Sequence, residues 1–327
     1  MGNSQIHGRA ETVFRDQAIF QPTIEAAGER LGISATAVEK DYWVSQALRV
    51  LGDEFPDDFV FKGGTSLSKA YGLIERFSED IDLLIIVGSR GRGAVDRLMK
   101  GMGAAVARMM GSSSQSEHAE RGIHRTYRIA YPTIRPQTTA IEPSVLLEMG
   151  VRGGTQPSGR VEIHTLLGDV LDDAGTDVSG FVDLERFAVR VLHPGRTLLE
   201  KLHAIHAESL RLEADPSKAV TARIGRHFYD VSRLLADEEV ASFLADDTTV
   251  RVVLEEIEQV SREHFTRDGT VELRPEGGFR HSPAFDPSSD VADRLRVAYE
   301  TDIEDLYYGT TPPAWDEICR QVTSSPI

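Results

Sequence analysis

Residues 57–88 constrain the fold more tightly than any other stretch. The apolar run Phe59-Val60-Phe61 follows Asp57-Asp58 and is broken by Gly63-Gly64. Residues 65–77 then place Leu67, Ala70, Tyr71, Ile74 and Phe77 on one helical face. Residues 81–87 return to a strand, closed by Gly88. The pattern predicts strand, tight turn, helix and strand in succession. Strand side chains alternate, so Asp80 and Asp82 share one face while Ile81 and Leu83 take the other.

Two carboxylates about 7 Å apart along a strand repel each other unless solvated or bridged by a cation. Oxygen ligands of this kind suit Mg²⁺, with Mn²⁺ as a substitute, and Mg²⁺ commonly bridges carboxylates to nucleotide phosphates. The glycine pair adds a second half to such a site. Between a strand and a helix, backbone N–H groups and the positive helix end face an anion. Ser66 and Lys69 lie three apart on that helix, placed to offer a hydroxyl and a charge to phosphates. Either half alone reads more simply as a turn or a solvated strand end. Both together, in this order, favour a metal-and-phosphate site.

The rest of the chain divides near residue 190. Helical spacing covers residues 21–52 and 94–110, with Ser112-Ser113-Ser114 expected as a loop. Further strands are predicted at 124–131, 144–151, near 160–167 and at 187–192. Beyond Pro194 the pattern becomes helical, over 197–212, 219–236, 238–245, 248–266 and 289–306. The expected architecture is α+β, with a mixed sheet and helices in residues 1–190 and a helical lobe in 191–327. Residues 267–288, rich in Gly, Pro and charge, read as a lid, a tether or an ordered excursion.

The formal charge of -16 argues against indiscriminate binding to nucleic acid. Its distribution is uneven. Residues 234–327 carry 8 basic and 21 acidic side chains, whereas residues 88–135 carry 9 basic and 3 acidic. That basic segment includes Arg90, Arg92, Arg97, Lys100, Arg108, Arg121, Arg125, Arg128 and Arg135, directly after the acidic strand. Phosphate backbones require such local positive charge, which makes an RNA contact through Arg121, Arg125 and Arg128 the expectation. The simpler alternative is a solvated helix face balanced by the acidic lobe. The single cysteine, Cys319, excludes an intramolecular disulfide. With no apolar leader in residues 1–6 and no run long enough for a membrane span, a cytoplasmic protein without a membrane partner is expected.

The segments Gly63-Gly64-Thr65-Ser66-Leu67-Ser68-Lys69 and Arg76-Phe77-Ser78-Glu79-Asp80-Ile81-Asp82-Leu83 together resemble the first motif of the AbiEii toxin family. This is a branch of the polymerase-β-like nucleotidyltransferases that includes the MenT-like toxins. Fifteen residues separate Gly64 from Asp80, a longer gap than is usual in the superfamily but similar to this branch. Residues 38–44, Val-Glu-Lys-Asp-Tyr-Trp-Val, resemble the family's N-terminal helix. Glu200-Lys201-Leu202-His203-Ala204-Ile205 is similar to its Glu-Lys-Leu-x-Ala-Ile motif. Arg226-His227-Phe228-Tyr229-Asp230-Val231 is similar to its Arg-Asp-x-Tyr-Asp-Leu motif, with His227 in place of the first Asp.

The resemblance implies a toxin that transfers a nucleotide from a nucleoside triphosphate, with the tRNA 3′ acceptor end as target and a cognate antitoxin as partner. It implies that Asp80, Asp82 and a third carboxylate hold Mg²⁺. Glu148 fills that slot, as the lone acid of the apolar run Val145-Leu146-Leu147-Glu148-Met149, where an unpaired charge is costly. It further implies that Gly63, Gly64, Thr65, Ser66, Lys69 and Lys201 hold the triphosphate and that Asp230 completes the site from the helical lobe. Periodicity alone shows Lys201 and Asp230 only as charges flanking amphipathic helices.

Other features carry less. His203 and His206 have helical spacing but no evident third metal ligand. Gly101-Met102-Gly103 lacks the rest of a dinucleotide fingerprint. Tyr42 and Trp43 read as core rather than as a base-stacking platform. Two rival functions stand beside the first: nucleotide transfer to a small molecule or a protein side chain, and a non-catalytic nucleotide-binding module. The first rival needs no basic surface. The second is disfavoured by the intact Asp80, Asp82 and Lys69.

Overall fold

The fold was derived from a computed structural model describing residues 12–76, 78, 80–134, 141–264, 274–304, 307–309 and 311–327. Phe77, Glu79, Arg135, residues 267–273 and the end of the expected helix at 265–266 lie outside these residues. The expected helix at 21–52 is two helices, α1 (Phe20–Leu31) and α2 (Ala35–Glu54). Gly32 ends α1 in the left-handed region, at φ 69°, and the Ser34 hydroxyl accepts from the Ala37 N–H to start α2. Strand β1 (Phe59–Lys62), helix α3 (Gly63–Lys69) and strand β2 (Asp80–Ile85) follow. At seven residues, α3 is far shorter than the stripe of apolar residues at 65–77 predicts.

Helix α4 (Arg92–Met109) leads into β3 (Ser114–Glu120), β4 (His124–Ala130), β5 (Ser144–Gly150) and β6 (Ser158–Ile163). Ser112 and Ser113 lie in the expected loop, and β3 starts at Ser114, where no strand was anticipated. It lies at the sheet edge and is largely exposed, so its sequence shows no apolar alternation. Helix α5 (Leu166–Asp173), also unanticipated, precedes β7 (Phe187–Leu192). The helices α6 (Pro194–Ala214), α7 (Gly225–Leu235), α8 (Glu238–Leu244), α9 (Asp247–His264), α10 (Asp290–Glu304) and α11 (Trp315–Ser324) complete the described chain. Helix α7 starts later than expected, and α11 was not anticipated.

The seven strands run in the order β3-β4-β5-β2-β1-β7-β6. Pairing is mixed: β2 runs parallel to β5 and β1 parallel to β7, with the remaining pairs antiparallel. The fold is thus α+β, with a mixed sheet followed by helices. One sheet face, with Phe61, Ile81, Leu83, Leu147 and Met149, packs against α1, α2 and α4 in the first core. Tyr42 and Trp43 are buried there. A second core joins Leu198, Leu202, Phe228 and Val231 of the C-terminal helices, and Leu67 and Ile74 reach into it from the residues after β1. Within 274–288, Phe279 and Phe285 are buried in that core, so this part of the segment is an ordered excursion.

Candidate active site

The opposite face of the sheet carries the acidic residues. Asp80 and Asp82 project to it from β2. The parallel register sets Asp82 beside Glu148 of β5, while the antiparallel registers set it beside Lys62 of β1 and set Glu148 beside Thr126 of β4. One row across four strands therefore reads Lys62, Asp82, Glu148, Thr126. Glu148 thus stands next to Asp82.

The electrostatics of the row are unbalanced. Burial pushes the Asp82 carboxyl up to about 7, with Glu148 and Asp80 adding to the rise and Lys62 and Lys201 opposing it. Burial and then Asp80 raise Glu148, with Arg223 opposing. Such a donor set has the chemistry of a site for a hard divalent cation. Among the described residues no three acids, histidines or cysteines are gathered closely enough to enclose a metal ion by themselves. Two carboxylates side by side are compatible with Mg²⁺, which usually keeps waters and takes substrate phosphate oxygens beside one or two carboxylates.

The glycine pair makes room for this chemistry. Gly63 has φ 79°, and a Cβ there would lie 2.0 Å from Asp82 Oδ2. A Cβ on Gly64 would lie 2.7 Å from Arg76 Nη2 and 2.9 Å from Ser78 Oγ. Thr65 donates its hydroxyl to the Asp80 carbonyl at 2.6 Å, which ties α3 to the start of β2. Ser66 is buried and donates to the Gly63 carbonyl at 2.8 Å. Lys69 pairs with Asp41 and lines a separate cavity with Lys40 and His164. Ser66 and Lys69 are thus engaged within the protein, Ser66 by the Gly63 carbonyl and Lys69, at the end of α3, by Asp41 on α2.

Facing the acids is a cleft of about 330 Å³ lined by Lys62, Gly63, Gly64, Arg76, Asp80, Asp82, Glu200, Lys201, Arg223, Arg226 and His227, among others. Lys201 reaches it from α6. Its ammonium is 2.8 Å from Asp230 Oδ2, and Asp230 is fully buried on α7. Asp230 also accepts two bonds from Arg76, from Nε and Nη2, each at 2.7 Å. Burial pushes the Asp230 carboxyl up, but Lys201 and Arg76 hold it well below the usual carboxylate range. With those partners Asp230 orients the two cations instead of facing the cleft. Sequence reasoning missed Arg76 in this role, although it stands in the quoted motif.

Further charges frame the cleft. Lys62 pairs with Glu200 at 3.1 Å, and Glu200 with the buried Arg196, also at 3.1 Å. Arg223 Nη1 donates to Asp80 Oδ2 at 3.3 Å. His227 is held neutral, lowered to about 3 by burial and then by Lys201, and its Nδ1 has no hydrogen-bond partner among the described residues. Away from the cleft, His203 and His206 are buried against Ser261 and Ser282, at 2.8 and 2.9 Å.

The three arginines expected at RNA have separate fates. Arg125 points to the helix-covered face, buried and paired with Asp96 at 2.7 Å, which removes it from any RNA surface. Arg128 projects on the acidic face but pairs with Glu117 and Glu142. Arg121, in the β3–β4 turn, is exposed: a Cβ on Gly93 would lie 3.6 Å from its Nη2 and 3.8 Å from Arg97 Nη1. Elsewhere in the basic segment Arg90, Lys100 and Arg108 pair with Asp58, Asp96 and Glu54. Much of its charge is thus neutralised within the protein.

No helix among the described residues is long and apolar enough to cross a membrane. A comparison with curated proteins gives no match. A comparison with protein families matches residues 49–321 to the family described as nucleotidyl transferase AbiEii toxin, of type IV toxin–antitoxin systems. That match spans β1, both carboxylate strands, Lys201 and Asp230. The chain belongs to the AbiEii family of nucleotidyl transferase toxins.

Proposed function

We propose that this toxin transfers a nucleotide from a nucleoside triphosphate to RNA, with the tRNA 3′ acceptor end as the target, and that it works with Mg²⁺. The observation that carries this reading is the row Lys62, Asp82, Glu148 on one sheet face, opposite Lys201. Asp80, Asp82 and Glu148 would hold the metal, and Lys201 the triphosphate, beside the backbone at Gly63 and Gly64. When bound, Mg²⁺ supplies charge neutralisation to the triphosphate and orients it for in-line displacement.

The acceptor hydroxyl oxygen attacks the α-phosphorus, a new P–O bond forms, and the bond to the β-phosphate oxygen breaks to release pyrophosphate. The hydroxyl proton leaves to a carboxylate oxygen of the acidic row or to water as the new P–O bond forms. Lys201, fixed by Asp230, neutralises charge on the leaving pyrophosphate. The exposed Arg97 and Arg121 suit the RNA backbone. A cognate antitoxin is the expected protein partner, with growth arrest through blocked translation the outcome.

The test is incubation with total tRNA and each labelled nucleoside triphosphate in turn. Label should enter tRNA with wild type and not with Asp80→Ala. Label found only on small molecules or protein would support the rival acceptor classes instead.

A further inference from the structure

Arg223 is the only non-glycine residue among the described residues with φ in the left-handed region, at 67°. It lies in the loop between α6 and α7, two residues before α7 begins. A residue with a Cβ pays a conformational penalty there, which burial or a strong contact normally offsets. Neither is present. The Arg223 side chain is 64% exposed, and its one ion pair among the described residues is the 3.3 Å contact with Asp80. Exposed pairs of that kind contribute little. Arg226, three positions on, lines the same cleft, so a like charge stands beside it.

Together these features describe a guanidinium held across the cleft mouth by the backbone, at a cost that the fold alone does not recover. Outliers of this kind cluster at ligand clamps. A planar guanidinium is suited to bidentate contact with phosphate oxygens, and Lys201 already places one cation in the cleft.

We propose that Arg223 is a phosphate clamp for the β- and γ-phosphates of the incoming nucleotide, parked on Asp80 while the cleft is empty. When the triphosphate enters, the guanidinium moves from Asp80 Oδ2 to the phosphate oxygens and no longer competes with the cation for that oxygen. Arg223 thereby makes cation binding and triphosphate binding cooperative. This deepens the proposed nucleotidyl-transfer site and rests on that reading.

The test uses the full chain and three variants, Arg223→Ala, Arg223→Lys and Arg223→Gly, titrated with Mn²⁺ alone and with pyrophosphate in the presence of Mn²⁺, and melted without ligand. The clamp predicts that Arg223→Ala binds Mn²⁺ alone about threefold more tightly, because the Arg223 guanidinium no longer competes for Asp80 Oδ2. Pyrophosphate should bind roughly tenfold more weakly to it, with Arg223→Lys recovering only part of the loss. Arg223→Gly should melt about 1–2 °C higher than wild type while losing the same pyrophosphate affinity. Unchanged pyrophosphate affinity in Arg223→Ala overturns the clamp. So does a lower melting temperature for Arg223→Gly, which would mark the residue as structural. If wild type binds neither Mn²⁺ nor pyrophosphate, the underlying site reading falls as well, an outcome distinct from a failure confined to the variants.

Discussion

Asp82 and Glu148 stand side by side in the parallel register of β2 and β5, each pushed upward by burial and by neighbouring acids. Two carboxylates so placed repel when both are ionised, and a cation between them converts that repulsion into binding energy. In the metal-free protein the Asp82 carboxyl is raised from its ordinary 3.8 to about 7. The folded state therefore holds a proton that the unfolded state releases. Its stabilising contribution is present below about pH 4 and is lost as pH rises through about 7. Between pH 5 and pH 8, chelator-treated protein should lose melting temperature; adding Mg²⁺ should restore most of it, and Asp82→Asn should remove both effects. A flat profile for wild type in chelator contradicts this.

Asp230 makes a different prediction. It is fully buried and holds Arg76 and Lys201. Removing one partner of such a network leaves buried cations uncompensated, so Asp230→Ala should destabilise the chain by about 3–5 kcal/mol in denaturant unfolding. Lys201→Met leaves Asp230 with its bidentate arginine and should cost less stability while lowering nucleotide transfer about 100-fold or more. Equal losses of stability in the two variants would contradict this division of roles.

Gly63→Ala should act on the carboxylate beside it. A Cβ 2.0 Å from Asp82 Oδ2, at φ 79°, forces Asp82 aside and strains the turn. The expected result is a stability loss of about 1–2 kcal/mol together with weakened Mn²⁺ binding, read by titration. Retained Mn²⁺ affinity would separate the glycine from the acidic row.

Arg121 and Arg125 are adjacent in the basic segment but should behave in opposite ways. Arg97→Ala with Arg121→Ala should raise KM for tRNA and flatten its salt dependence, with little change in melting temperature. Arg125→Ala instead takes one partner from Asp96 and should lower stability by about 1–3 kcal/mol. A loss of RNA affinity in Arg125→Ala at unchanged stability would reverse the assignment.

Strand alternation puts Asp80 and Asp82 on one face, whereas Glu148, the lone acid of an apolar run, is singled out only because the family resemblance supplies a slot for a third carboxylate. Strand order was not legible, so the row from Lys62 to Thr126 could not be read: it joins β1, β2, β5 and β4, which are not consecutive in the chain. The Arg76–Asp230 pair spans 154 positions and leaves no local trace. The Lys69–Asp41 pair joins α3 to α2 across 28 positions and leaves no local trace either. Arg125 was misread because composition counts charges without regard to which face of a strand they occupy.

The most direct measurement is transfer of α-phosphate label from each nucleoside triphosphate to purified tRNA, comparing wild type with Asp82→Asn in Mg²⁺. Wild type should label the 3′ end with at least one nucleotide, and Asp82→Asn should lose about 1,000-fold or more of that rate while remaining folded. Equal labelling by the two proteins, or none by wild type with any of the four nucleotides, would contradict the proposed site and its chemistry.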